Sequence, residues 1–152
     1  MKYVCKKDPN IEYKKRPGAY AIILRKEDNK IGIVTDGYDF FYLGGGIEKG
    51  ETNLQALKRE LIEEAGYSLK NIREFDTVGS FIYAEEKGYL EVIANVYIAE
   101  FDSKIAEPIE KDHKVLWINP QDYIGKMCRE WQEYILKEYI KNGDKKWQNI
   151  QD

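Results

Sequence analysis

The chain is short of the residues that organise disulfide frameworks and zinc centres. Its 152 residues include two cysteines and one histidine. Cys5 and Cys128 lie far apart and fit neither a C-x-x-C motif nor a zinc-ligand spacing, which excludes both devices as organisers of the fold. The expectation is two reduced thiols in a cytoplasmic protein. Long apolar runs are also missing. The longest uncharged, mostly apolar stretch is "VIANVYIA" (Val92–Ala99), the length of a strand and far too short for a membrane span. The N-terminal "MKYVCKKDPN" holds no apolar core of signal-peptide length, so no membrane partner is expected. There is no basic surplus either. A net charge of -3 gives little to displace counterions from a polymer backbone, which argues against a nucleic-acid polymer but leaves nucleotides open as small ligands. No repeat and no Ser/Gly/Pro-rich linker divides the chain. A single domain over residues 1–152 is therefore expected, long enough to bury a core.

Strand and helix patterns are present. "GAYAIILR" (Gly18–Arg25) and "KIGIVTD" (Lys30–Asp36) read as a hairpin across the polar "KEDN". "YDFFYL" (Tyr38–Leu43) reads as a short strand, and "DTVGSFIYAEE" with "GYLEVIANVYIAEF" as a second pair turning near Lys87–Gly88. "HKVLWI" (His113–Ile118) reads as a last strand. "NPQD" then opens a helix, with Asn119 as cap and Pro120 in its first turn. Tyr123, Ile124, Met127, Trp131 and Ile135 recur at helical spacing, so Trp131, Tyr134 and Tyr139 read as a core face rather than an aromatic box. The layout is α+β: strands, a helix, strands, a helix, with the helices packed on a sheet.

The informative segment is "GGGIEKGETNLQALKRELIEEAGY" (Gly44–Tyr67). From Thr52 to Ala65 it holds neither glycine nor proline, Glu51 and Thr52 stand where a cap and an acidic first turn belong, and Gly66 stands where a helix stops. At about 100° per residue, Leu54, Leu57, Leu61 and Ala65 share the expected buried stripe, with Glu60, Glu63 and Glu64 on the adjoining sector. Arg59, one turn before Glu63, can pair with it. An acidic face turned to water is the bland reading. Against it, the carboxylates crowd the C-terminal half of a helix, where the macrodipole favours cations. A hard divalent cation with oxygen ligands relieves that cost. The preceding glycines, read as a loop, let backbone approach a ligand closely. A glycine loop, an acidic helix and a metal together suit a polyphosphate.

These residues resemble the Nudix box, G-x5-E-x7-R-E-U-x-E-E-x-G-U with U aliphatic, through Gly45, Glu51, Arg59, Glu60, Leu61, Glu63, Glu64 and Gly66. Tyr67 departs from the aliphatic ending, and Leu43 stands where many members carry proline. The resemblance implies an α/β/α sandwich around a central mixed sheet, and a hydrolase of nucleoside diphosphates linked to another group, using Mg2+ or Mn2+. It implies Gly45 (through its carbonyl), Glu60, Glu63 and Glu64 as metal ligands, Arg59 as the residue orienting them, and Glu51 as support. Its general base is a box glutamate such as Glu63 or an acid on a later loop. "EPIEKDHKVLW" (Glu107–Trp117) is such a loop, offering Glu110 first and Asp112 next. His113, the lone histidine, is read as structural. Family members are often dimers, which leaves room for a homodimer. Relatives that only bind nucleotides usually lose box carboxylates, whereas this chain keeps them.

The box leaves the substrate open. Where ADP-ribose hydrolases of the family tend to carry a proline, this chain has Ile82 and Tyr83; Tyr83 weakly fits dinucleoside polyphosphate hydrolases. The compact pattern, with a tryptophan before the last helix, looks most like nucleoside triphosphate pyrophosphohydrolases, some of which act on oxidised dGTP. Gly44, Gly45 and Gly46 are expected against the phosphates. Among the aromatics Tyr38, Phe40, Phe41, Tyr42 and Tyr83, Phe41 and Tyr83 are the preferred contacts to a base.

Overall fold

Apolar residues that alternate along β-branched and aromatic segments can be buried on both faces of a sheet only if each face is covered. That is what the computed structural model shows. It describes the backbone of residues 1–151 and the side chains of residues 1–142; the last residue of the expected 1–152 domain lies outside the described residues. The elements are β1 (Lys2–Tyr3), β2 (Lys14–Arg25), β3 (Lys30–Thr35), β4 (Phe40–Phe41), β5 (Leu43–Gly46), α1 (Asn53–Ala65), β6 (Tyr67–Ala84), β7 (Gly88–Lys104), β8 (Lys114–Ile118), a 3-10 turn (Pro120–Tyr123) and α2 (Glu130–Gln151). The strands form one sheet in the order β1-β6-β7-β2-β3-β4, with β5 paired to β2 and β8 to β3. It is mixed: β1 with β6 and β2 with β7 are parallel, and the β2–β3 and β6–β7 hairpins are antiparallel.

Each helix covers one face. β2 sends Ala19, Ala21 and Ile23 toward α1, where they meet Ala56, Leu57 and Leu61. Ile22, between them in sequence, joins the opposite layer with Trp131, Ile135 and Leu136 of α2. The α+β class and the sandwich with a mixed central sheet are therefore observed. No described helix is long and apolar enough to cross a membrane.

Several local expectations differ from what is found. Leu54 is 42% exposed rather than buried. It lies in the first turn of α1 along a surface groove with Ile72 and Tyr97, and Ala56 takes the buried position. Gly44–Gly46 is a strand rather than a loop, since Gly44, Gly45 and Gly46 register against Tyr20, Ala19 and Gly18 of β2. The closing helix starts later than the apolar spacing suggests. After Pro120 the chain makes only a 3-10 turn, and Gly125 takes a left-handed φ of 84°. Glu133 then accepts from the Gly125 and Met127 amides at 3.0 and 2.8 Å, holding the segment as a loop ahead of α2. β6 begins immediately after α1 at Tyr67 and reaches Ala84 through irregular pairing with β7, far upstream of the strand expected from Asp76.

Candidate active site

α1 owes its limits to local chemistry. The Thr52 hydroxyl accepts from the Gln55 amide while the Gln55 side chain accepts from the Thr52 amide, a reciprocal cap at the first turn. Gly66 closes the helix in the left-handed conformation, its amide reaching the Ile62 and Leu61 carbonyls. A Cβ there would strike the Ala106 carbonyl, so the helix end packs directly on the later loop. Tyr67, the departure from the aliphatic ending, stacks on Phe101 at 4.4 Å and keeps the apolar contact.

The helix brings its carboxylates against β5. The Gly44 amide donates to Glu64 Oε1 at 2.7 Å. Gly45 faces Glu60 so closely that a Cβ would lie 2.7 Å from the Glu60 carboxyl carbon. Arg59 fastens this arrangement. Its Nε and Nη2 donate to the two Glu51 carboxylate oxygens at 2.7 and 2.9 Å, its Nη1 to Glu60 Oε1 at 3.0 Å, and its Nη2 also to the Gly46 carbonyl at 3.0 Å. Glu63 is at the margin, 3.5 Å from Arg59 and a third exposed.

The loop before β8 completes the cluster. The amides of Ile109 and Glu110 donate to the Glu63 carbonyl at 2.8 and 3.4 Å, tying the loop to the last turn of α1. Glu110 and His113 thereby join Glu64: ligand atoms of all three lie within 4.8 Å of one another, a grouping that could hold a metal ion. His113 Nδ1 is 2.8 Å from Glu110 Oε2 and 3.7 Å from Glu64 Oε2. The ring N–H is not directed along the short line, so Nδ1 is buried without a hydrogen bond. An oxygen-rich donor set around an imidazole nitrogen that makes no hydrogen bond fits a divalent cation.

The electrostatics carry the same signature. Burial pushes the Glu64 carboxyl up to about 8, with Glu110, Glu60 and Glu63 adding to the rise and the Gly44 amide opposing it. Burial also raises Glu60. Glu51 moves the other way, to about 2, because Arg59 donates to its charged form. Charge is thus costly where the carboxylates converge and stabilised where the arginine anchors them.

A cavity of about 330 Å³ opens on the cluster, within the size range of small-ligand sites. Gly44, Gly45, Gly46, Glu60, Glu64 and Glu110 border it, as do Phe41 and His113. Phe41 also packs on the His113 ring at 5.4 Å. Other expected residues stand apart from it. Tyr83 is 54% exposed and packs on Tyr89 at 4.9 Å. Alternation along β6 turns its neighbours Ile82 and Ala84 to the cavity instead. Asp112 is exposed on the loop and does not border the cavity. Arg59 and Glu63 do not border it; Arg59 reaches the cluster through Glu60, and Glu63 lies beside Arg59.

Sequence reading missed the rest of the lining. Arg16, Lys87 and Arg129 supply cations, and Ile82, Leu90, Val92 and Trp131 an apolar wall. No motif marks these positions. The one available signal was helical spacing, which already placed Trp131 on the inward face of α2. His113 was read as structural, yet it lies inside the carboxylate cluster.

A family model described as NUDIX domain matches residues 14–139. The chain is 27% identical over 128 residues to Nudix hydrolase 13, mitochondrial, of Arabidopsis thaliana, a match covering 75% of this chain and 62% of that protein. It is 34% identical over 83 residues to the NAD-capped RNA hydrolase NudC of Photobacterium profundum, covering 49% of this chain and 29% of the relative. The matches thus span less than two thirds of either relative's length. Among solved structures, a MutT NUDIX hydrolase from Burkholderia pseudomallei superposes with a TM-score of 0.66 at 23% identity, over 82% of this chain and 97% of that one. A MutT protein from Bacillus halodurans gives 0.64 at 19% identity over 80% of each. At such identities the structural likeness is one of fold. The box carboxylates gathered on β5 and the family match over most of the chain lead to one conclusion: this chain belongs to the NUDIX domain family.

Proposed function

We propose that residues 1–152 form a single-domain pyrophosphohydrolase that uses Mg2+ or Mn2+ to cleave a nucleoside triphosphate to the monophosphate and pyrophosphate. The observation that carries this reading is the convergence of Glu60, Glu64 and Glu110 on a cavity that also holds cations and an aromatic wall. Such a cavity offers something to each part of a nucleotide.

Glu60 and Glu64, with the His113 imidazole and the Gly45 carbonyl, are the groups that would hold the cation, which leaves Glu110 free beside them. When bound, the cation offsets the charge of the phosphate oxygens and makes a water more acidic. The remaining work belongs to the chain. Arg59 fixes Glu60 against Glu51, and the Gly44 amide fixes Glu64, so the carboxylates need no rearrangement on binding. Arg16 and Arg129 border the cavity and would pair with phosphate oxygens. Glu110 serves as base and takes the proton from the attacking water, whose oxygen joins phosphorus as the bridging P–O bond breaks. Phe41 borders the cavity and packs on the His113 ring.

The test is product analysis over a panel of nucleoside triphosphates, oxidised dGTP, ADP-ribose, NAD and a dinucleoside tetraphosphate, with Mg2+ or Mn2+ and with EDTA. A monophosphate and pyrophosphate from a triphosphate is the expected result. Orthophosphate and a nucleoside diphosphate as the only products would overturn it. Preference for ADP-ribose, NAD or the dinucleotide would keep the chemistry and change the leaving group.

A further inference from the structure

α2 contributes more to the cavity than its apolar face. Gln132 is 5% exposed and borders the cavity beside Trp131. Its Oε1 is buried and accepts no hydrogen bond. A buried amide oxygen left unpaired destabilises a fold, and such groups are few in native proteins. Nothing in the packing of α2 requires an amide here, since the neighbouring inward positions Trp131, Ile135 and Leu136 are apolar.

The position of Gln132 is also fixed from several sides. The Tyr42 hydroxyl donates to the Gln132 main-chain carbonyl at 3.0 Å. Trp131 packs on Tyr20 and Tyr42 at centroid distances of 4.8 and 6.2 Å. The Cys128 amide donates to the Phe40 carbonyl at 2.8 Å, and Glu133 holds the loop ahead of the helix. The helix around it is anchored, so this unpaired acceptor gains a partner only by rotation of its own side-chain amide toward the cavity that the residue borders.

Building on the proposed nucleotide hydrolysis, we propose that Gln132 is a specificity-determining residue whose side-chain oxygen accepts a hydrogen bond from the exocyclic amino group of a purine base. The base lies in the part of the cavity walled by Ile82, Leu90, Val92 and Trp131, whose apolar side chains leave an unmatched polar group on either partner without compensation. Apolar walls alone accept any flat ring. The amide discriminates between rings that differ by one donor.

The experiment compares nucleotides matched in all but that donor: ATP against purine riboside triphosphate, which lacks the 6-amino group, and GTP against inosine triphosphate, which lacks the 2-amino group. Both kcat/KM with Mg2+ and binding in EDTA by titration calorimetry are measured, for the parent and for Gln132→Leu, with circular dichroism as the check of folding. The parent is expected to prefer the donor-bearing member of at least one pair by about tenfold, and the preference should fall to within twofold in Gln132→Leu. Gln132→Glu retains an acceptor oxygen and should keep the preference, which guards against a fold defect in the leucine variant. A parent indifferent to both pairs, or a preference that survives in Gln132→Leu, overturns the proposal. Absence of hydrolysis with donor-dependent binding that Gln132→Leu abolishes would instead overturn the hydrolase reading and leave this one standing.

Discussion

Gly44 and Glu64 are joined by a 2.7 Å bond from a strand amide to a buried helix carboxylate, across twenty residues of sequence. That bond holds Glu64 where burial and three neighbouring glutamates oppose its charge. Several measurable consequences rest on the tension.

The first is metal-linked stability. A cation that binds the folded cluster and not the unfolded chain raises the melting temperature by an amount that grows with the logarithm of its concentration over Kd. Mg2+ or Mn2+ should raise the Tm, and excess EDTA should both reverse the rise and abolish turnover. Full turnover in EDTA would rule out a metal centre at Glu60 and Glu64.

The second is pH dependence. The Glu64 carboxyl is raised from an ordinary 4.5 to about 8 in the folded chain. Between those values the folded state keeps a proton that the unfolded state has released, so the contribution of this group to stability falls as pH rises. It is complete below 4.5 and lost by about 8. Without metal, the Tm of the parent should therefore decline from pH 5 to 8 more steeply than that of Glu64→Gln. Metal should flatten the parent curve, because binding needs the carboxylate and competes with the proton. Parallel curves for parent and variant would remove Glu64 as the source.

The third separates ligation from support. Glu64→Gln keeps the shape and removes the charge, so kcat/KM should drop by about 10³-fold while the fold survives. Arg59→Ala should cost less activity, about tenfold to hundredfold, since it touches the cluster only through Glu60 and Glu63. It should also lower the metal-free Tm by about 5 °C as the links from α1 to Glu51 and Gly46 are lost. Steady-state kinetics and calorimetry on both variants check the order.

The fourth concerns the base. The amides of Ile109 and Glu110 bind the loop to α1 and keep Glu110 beside the carboxylates before substrate arrives. Glu110→Gln should lower kcat more than it raises KM, whereas Asp112→Asn, on the exposed side of the loop, should be milder. His113→Ala should weaken metal binding as well as rate, because its Nδ1 lies between Glu64 and Glu110. Near-parent kcat in Glu110→Gln would move the role of base to a box glutamate.

The fifth identifies the bond cleaved. Hydrolysis in 18O-water should place the label in pyrophosphate if water attacks the β-phosphorus, and in the monophosphate if it attacks the α-phosphorus. We expect the former, read by mass spectrometry of both products.

Much was legible in the sequence because the information is local. The cap at Thr52, the stop at Gly66 and the helical spacing of Arg59, Glu60 and Glu64 are relations between near neighbours, and backbone geometry translates them directly into a helix with acids on one side. The hairpins were readable for the same reason. What the tertiary structure alone decided are relations between distant segments. The pairing of Gly44–Gly46 with β2 turned an expected loop into a strand that reaches Glu60 and Glu64. The Gly66–Ala106 contact drew Glu110 and His113 onto the cluster. Strand alternation against β7 sent Tyr83 outward and Ile82 inward. Packing on the sheet carried Trp131 and Gln132 from α2 into the same cavity. Spacing fixes which side chains share a face, but which faces meet depends on burying the whole apolar surface at once, and that is settled only by the complete fold.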